Sequence, residues 1–160
     1  MSKTLVAYFS ASGVTAALAK RIAASLRADL HEIQPVVPYS DADLNWRDKS
    51  SRSFVEMQNK KFRPPIKDLN VKIENYSTIL LGFPIWWYVA PTIVNTFLES
   101  CDFSGKTIIL FATSGSSGLG DSAKELKPSV SETTVIRDGR RFGSCVSEDE
   151  LQKWLSTLNL

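Results

Sequence analysis

Leu5-Val6-Ala7-Tyr8-Phe9-Ser10-Ala11-Ser12-Gly13-Val14-Thr15-Ala16 is the stretch from which the architecture can be read. Five apolar residues in succession, without polar alternation, predict a strand buried on both faces, as in a parallel sheet. Ser10 to Gly13 then make a turn. From Val14 to about Ala28 an alanine-rich segment places Leu18, Ile22 and Leu26 at i, i+4 and i+8, the single apolar face of a helix. A buried strand, a short hydroxyl-rich turn and an amphipathic helix form the opening unit of an α/β fold.

The same rhythm repeats downstream. Leu30–Val37 reads as a second strand interrupted by Pro35 and closed by Pro38. Ser77–Phe83 is a third strand, and Pro91 stands at the first turn of a helix reaching about Glu99. Lys106–Thr113 is a fourth strand, a short helix follows at about Asp121–Lys127, and Glu132–Arg137 is expected as the fifth strand. Ser147 with Glu150 forms an S-x-x-E capping box before a helix carrying Leu151, Trp154, Leu155 and Leu158. Strands separated by helices pair in parallel through right-handed crossovers, so an open five-stranded sheet with helices on both faces is expected. Residues 38–75 interrupt the alternation. They are polar and basic, with a short helix around Arg52–Lys61 and a break at Pro64-Pro65. Too few apolar residues lie there for a separate core, so residues 1–160 read as one domain with a long excursion. Loops of such length usually carry function.

Bulk properties exclude several classes. At 160 residues the chain can bury roughly two-thirds of its unfolded surface, enough for one core. No apolar run approaches the roughly 20 residues of a membrane span. Met1-Ser2-Lys3-Thr4 leads directly into the first strand with no separate signal region, which makes a cytoplasmic protein the expectation. Cys101 and Cys145, with the single His31, cannot build a common zinc cage, and His31 on the second strand reads as structural. A net charge of +2 is too small to argue for nucleic acid. Seven cations nevertheless cluster between 46 and 67 (Arg47, Lys49, Arg52, Lys60, Lys61, Arg63, Lys67), a solvated basic face or a docking surface for something acidic.

On a sheet of this kind ligands bind beyond the carboxyl ends of the strands, where strand order reverses. Three segments there have the composition of a site. Ser10–Thr15 offers three hydroxyls and a glycine where backbone N–H groups meet the positive end of a helix, a neutral cradle for a phosphate. It lacks the lysine of a nucleotide triphosphate loop. Pro84-Ile85-Trp86-Trp87-Tyr88 presents three successive aromatics that cannot all enter the core, so part of this surface faces a cavity or a flat aromatic ligand. Thr113-Ser114-Gly115-Ser116-Ser117-Gly118 is small enough for its backbone to approach a ligand closely.

These residues resemble a known family. The S-x-S-G-x-T loop is similar to the FMN phosphate loop of flavodoxins. Gly82-Phe83-Pro84-Ile85-Trp86-Trp87 and Thr113-Ser114-Gly115 resemble the flavin-flanking segments of the flavodoxin-4 type, as do Asp43-Leu44-Asn45-Trp46, Ser51-Arg52 and Arg63-Pro64 in the excursion. The likeness spans nearly the whole chain. It implies a flavodoxin-like three-layer sandwich of strand order 2-1-3-4-5. It also implies FMN as cofactor, with Ser10, Ser12, Gly13, Val14, Thr15 and Ala16 around the phosphate. Pro84, Ile85, Trp86 and Trp87 would run along the ring, Thr113, Ser114 and Gly115 would meet its pyrimidine edge, and Trp46 would cover it from the excursion. Electrons would pass through the bound flavin, with no protein residue as general acid or base.

The slightly basic charge and the long excursion depart from the acidic shuttles of the family. Both suit an FMN enzyme that accepts NAD(P)H or a quinone directly, rather than a carrier between redox partner proteins. No Lys, Arg or His lies in the two segments expected along the ring, which predicts a depressed potential for the second electron. Other readings fare worse. Gly118-Leu119-Gly120-Asp121-Ser122-Ala123 fits G-x-G-x-x-A but stands too far beyond the fourth strand for a dinucleotide turn. A response-regulator switch needs an aspartate where Phe83-Pro84 stands, and Gly115-Ser116-Ser117-Gly118-Leu119 fails the serine-hydrolase pattern. A scaffold domain without flavin would be colourless.

Overall fold

The computed structural model describes residues 3–160; Met1 and Ser2, part of the reading that no leader precedes the first strand, lie outside the described residues. The elements follow in the order β1 (Thr4–Tyr8), α1 (Val14–Leu26), β2 (Asp29–Glu32), α2 (Arg52–Gln58), β3 (Thr78–Pro84), α3 (Thr92–Glu99), β4 (Thr107–Thr113), α4 (Ser122–Leu126), β5 (Val135–Phe142) and α5 (Glu148–Ser156), with 3-10 turns between some of them. All strand pairs are parallel and the sheet order is β2-β1-β3-β4-β5. Strand order therefore reverses between β1 and β3, whose carboxyl ends stand side by side with Tyr8 opposite Gly82.

The unbroken apolar runs of the central strands serve two cores. Val6, Tyr8, Leu80, Ile109 and Phe111 point toward α1 and α5, where they meet Leu18, Ile22, Leu151 and Trp154. Leu5, Ala7, Phe9, Ile79, Leu81, Phe83 and Leu110 point toward α3, against Ile93, Val94 and Phe97. Each fully buried side chain of this size contributes about 1.5–3 kcal/mol relative to exposure. Gly82 is required by that packing: a Cβ there would stand 2.2 Å from Cζ of Phe111, whose ring occupies the space.

The outer strands differ from the sequence expectation. β2 covers Asp29–Glu32 rather than Leu30–Val37. Pro35 has no N–H for the ladder, and the chain instead pairs antiparallel with the returning excursion, Val36 N–H donating to Pro65 O (3.0 Å) and Lys67 N–H to Gln34 O (2.8 Å). β5 runs from Val135 to Phe142 rather than Glu132 to Arg137. Its charged Arg137-Asp138-Gly139-Arg140 stretch conceals a strand at the sheet edge, and a register shift beside Leu110 and Phe111 leaves Gly139 without a partner. A Cβ on Gly139 would stand 2.1 Å from the Leu110 carbonyl oxygen.

Helix limits also shift. α2 stops at Gln58, three residues before the expected end, and Ser51 Oγ caps it by accepting from Phe54 N–H (3.4 Å). Pro91 stands just before α3 with extended ψ rather than within its first turn. At α5 the Ser147 hydroxyl accepts from Glu150 N–H (3.1 Å), while the Glu150 carboxylate turns away to Arg140, so half of the capping box forms. Among the described residues no helix is long and apolar enough to cross a membrane.

Candidate functional site

The tip of β1 delivers Ser10–Gly13 to the start of α1. Gly13 has φ +99°, a left-handed conformation that favours glycine, and its N–H donates to Ser10 Oγ (3.1 Å). The first intrahelical bond runs from Ala17 N–H to Gly13 O (3.1 Å), so the Val14, Thr15 and Ala16 amides open the helix without an intrahelical acceptor. No acidic side chain occupies the first turn and no side chain caps it. Of the three hydroxyls, Ser10 is bonded to Gly13. Thr15 is buried and shares a hydrogen bond with Thr113 Oγ1 (2.7 Å), and Ser12 stays exposed. Arg21 shares a hollow with Ser12 and Gly13 but is tied to the Val146 carbonyl (2.8 Å) and to Glu148 (3.2 Å). The loop therefore offers amides and one free hydroxyl, the donor set for a phosphate held without a cation.

Beyond β3 and β4 lies a cavity of about 680 Å³ lined by Leu44, Trp46, Ser53, Ile85–Tyr88 and Ser114–Ser117. Its aromatic wall is a two-residue hairpin: Trp86 N–H donates to Val89 O (3.0 Å) and Val89 N–H to Trp86 O (3.3 Å). Trp87 and Tyr88 take φ values of +48° and +71°, positions that such turns ordinarily give to Asn or Gly. Each costs roughly 1–2 kcal/mol in backbone strain. Two contacts hold the turn in place. Phe54 sets its ring edge-on to Trp87 at 5.4 Å, and Gly120 lies so close beneath that a Cβ would stand 2.4 Å from the Tyr88 carbonyl oxygen. Trp86 is fixed edge-on between Phe9 (5.6 Å) and Tyr39 (5.3 Å).

The opposite wall comes from β4. Thr113 O accepts from Ile85 N–H (3.1 Å), and Ser114 N–H donates to Phe142 O (3.1 Å). Ser114 Oγ closes the turn on the Ser117 carbonyl. The Thr113 carbonyl and Ser114 amide are thus engaged within the protein, while Gly115 to Ser117 face the cavity. Arg141 reaches the Ser114 carbonyl from β5 (3.5 Å). This guanidinium, distant in sequence, supports the Ser114 backbone without lining the cavity, whose Ile85–Tyr88 and Ser114–Ser117 walls carry no cation.

The excursion forms the outer wall. Its key is Glu56, buried on α2, which accepts from Tyr39 Oη and pairs with Arg52 Nε (2.9 Å). The Arg52 guanidinium also lies 3.7 Å from the Tyr39 ring centroid and donates to Val37 O (2.8 Å). Burial first, and then the Glu56 carboxylate, push the Tyr39 phenol far above its ordinary range, so it stays protonated and donates to Glu56. Arg63 pairs with Glu99 of α3 (3.0 Å) and Lys60 with Glu125 of α4 (2.7 Å). Three of the seven clustered cations thereby anchor the excursion. Trp46 lines the cavity yet is 64% exposed, with the Arg47 guanidinium over its ring at 4.9 Å.

The structure brings the expected segments to neighbouring strand ends, with Pro84 opposite Thr113 and the Thr15–Thr113 contact joining the first loop to the third. Ile85, Trp86, Trp87, Ser114 and Gly115 line the cavity; Pro84 and Thr113 support it from the strand ends. Sequence reasoning passed over Tyr39, Ser53 and Phe54, and met Gly120 only in a rejected dinucleotide motif. A signal was present for part of this set: Ser53, Glu56 and Met57 form one helical stripe, and polar residues on a buried stripe need partners. His31 stacks its ring on Phe97, and burial holds its imidazole below the ordinary range.

No curated protein matches the sequence at a significant level. Two crystal structures of candidate flavoproteins are similar over essentially the whole chain. One, from Bacteroides eggerthii, is 43% identical, covers 100% of this chain and 99% of its own, and superposes with a TM-score of 0.90. The other, from Bacteroides uniformis, is 45% identical, covers 97% and 98%, and gives 0.86. A flavoprotein from Lactobacillus acidophilus crystallised in complex with FMN shares the fold at 22% identity, covering 97% of this chain and 99% of its own with a TM-score of 0.70. The profile of the flavodoxin family, in its flavodoxin-4 branch, matches residues 3–158. The chain belongs to the flavodoxin family.

Proposed function

We propose that the protein binds FMN across the β1–β3 switch point and transfers electrons through it. The observation that carries this reading is the placement of two complementary halves on adjacent strand ends. A cation-free helix start with open amides lies at β1, and an aromatic cavity lies at β3 and β4. Together they suit one flat ligand bearing one phosphate, and the FMN complex of the Lactobacillus acidophilus relative supports the choice. When bound, FMN supplies the electron-transfer chemistry, and the protein supplies position and electrostatics.

The chain's own residues then have defined tasks. The Val14, Thr15 and Ala16 amides and the Ser12 hydroxyl hold the phosphate, aided by the helix dipole. Ile85, Trp86 and Trp87 bound the ring, Trp86 being kept in place by Phe9 and Tyr39. Gly115 to Ser117 offer backbone groups to the ring edge, and the excursion through Leu44 and Trp46 limits water at the cavity.

A second reading, direct reduction of the flavin by NAD(P)H for delivery to a quinone or another small molecule, is favoured by a cation beside the cavity. Arg47 lies against exposed Trp46, and neither Arg47 nor Lys49 has an ion-pair partner among the described residues. The Arg47 guanidinium at that point can meet an anionic group of a small substrate. Anaerobic addition of NADPH to the FMN-loaded protein tests it. Bleaching of the flavin band supports the reductase; no bleaching until a flavoreductase is added supports the shuttle. A protein that takes up no flavin contradicts both.

A further inference from the structure

Four buried side-chain polar atoms have no hydrogen-bond partner among the described residues: His31 Nε2, Ser53 Oγ, Thr92 Oγ1 and Ser122 Oγ. Of these residues only Ser53 lines the aromatic cavity. The residue is 2% exposed, so water does not solvate its hydroxyl as it would at the surface. A buried hydroxyl left unpaired is costly, and native proteins retain one where something else completes it. Its place is well defined. Ser53 follows the capped first residue of α2, between Ser51, whose hydroxyl is used by Phe54 N–H, and Phe54, whose ring abuts Trp87. The Arg52–Glu56–Tyr39 cluster secures the same helix turn.

We infer that the Ser53 hydroxyl is a cofactor contact, completing its hydrogen bonding with a polar atom of the isoalloxazine ring. The inference rests on the FMN reading and deepens it. The partner belongs to the ring rather than to the phosphate, because none of Ser10–Ala16 lines this cavity, whereas Trp46, Trp87 and Ser114–Ser117 do. A serine hydroxyl both donates and accepts, so it can serve a carbonyl oxygen or a ring N–H. α2 of the excursion is then part of the binding site and not only a cover over it.

Ser53→Ala separates this role from a structural one, using FMN and riboflavin as probes and the melting temperature of the flavin-free protein as a second readout. An unpartnered hydroxyl contributes nothing to the flavin-free fold, so S53A is expected to melt at the wild-type temperature or above it. Its affinities for FMN and riboflavin should both fall, by the same factor of about ten. Wild-type affinity for FMN in S53A would overturn the inference alone. So would a loss confined to FMN, or flavin-free S53A that melts lower or fails to fold, since each gives the hydroxyl a different role. Wild-type protein that leaves both flavins unquenched would overturn the flavin reading, and the inference with it.

Discussion

The floor and the outer wall of one cavity are held by different forces. The floor is the tips of β3 and β4, rooted in strands whose side chains are almost wholly buried among Leu, Ile, Val and Phe. The wall is the excursion, held by a buried carboxylate shared between Tyr39 and Arg52, by ion pairs to α3 and α4, and by a short antiparallel contact with residues 34–36. Apolar burial is non-directional and cooperative over the domain, whereas a polar anchor is local and fails when one partner is lost. Damage to the floor should therefore unfold the protein, and damage to the wall should spare the sheet but impair the ligand.

The sharpest break in that contrast is Gly82→Leu. The side chain has nowhere to go but into the Phe111 ring, and overpacking of this kind costs about 3 kcal/mol or more. A large fall in the urea midpoint, with flavin binding lost alongside folding, is the expected result. Glu56→Ala addresses the wall. Arg52 is partly exposed (21%), so the loss should be about 1–3 kcal/mol, below that of a fully buried pair. Hydrogen exchange should rise in residues 38–60 while the β3 and β4 amides stay protected, and flavin affinity should fall about tenfold or more. Equal loss of protection in the sheet would show that wall and floor are one cooperative unit.

Gly120→Ala probes the junction of the two. With φ +54° and the Tyr88 carbonyl in the way, it should cost about 1–2 kcal/mol and displace the Trp87-Tyr88 turn. The change should be visible as altered tryptophan fluorescence. The smallest effect concerns pH. Burial depresses the His31 imidazole, so the unfolded chain takes up the proton first as pH falls. The stability this contributes is complete above the ordinary value of about 6.5 and declines as pH drops from there toward the depressed value. His31→Phe should flatten that slope between pH 7 and 5 in urea titrations without altering flavin affinity; an unchanged slope would remove His31 from the account of the sheet edge.

The same contrast explains what the sequence showed of the molecule. The central strands were legible because burial on both faces leaves unbroken apolar runs such as Ile79-Leu80-Leu81 and Ile108-Ile109-Leu110-Phe111. The three loops were legible because turn chemistry is local. The limits of β2 and β5 were not, since edge strands tolerate Pro35 nearby and the charged Arg137–Arg141 stretch. The wall was least legible. The contacts Arg63–Glu99, Lys60–Glu125 and Tyr39–Trp86 join residues far apart in the chain, and no local pattern announces them. Arg141 beside Ser114 was missed for the same reason.

The most direct measurement is an equilibrium titration of the flavin-free protein with FMN, followed by flavin fluorescence and by melting temperature. Binding across the β1–β3 switch point predicts quenching that saturates at one flavin per chain and a melting temperature that climbs with excess FMN. Flavin that stays fully fluorescent at excess protein, with an unmoved melting temperature, would contradict it.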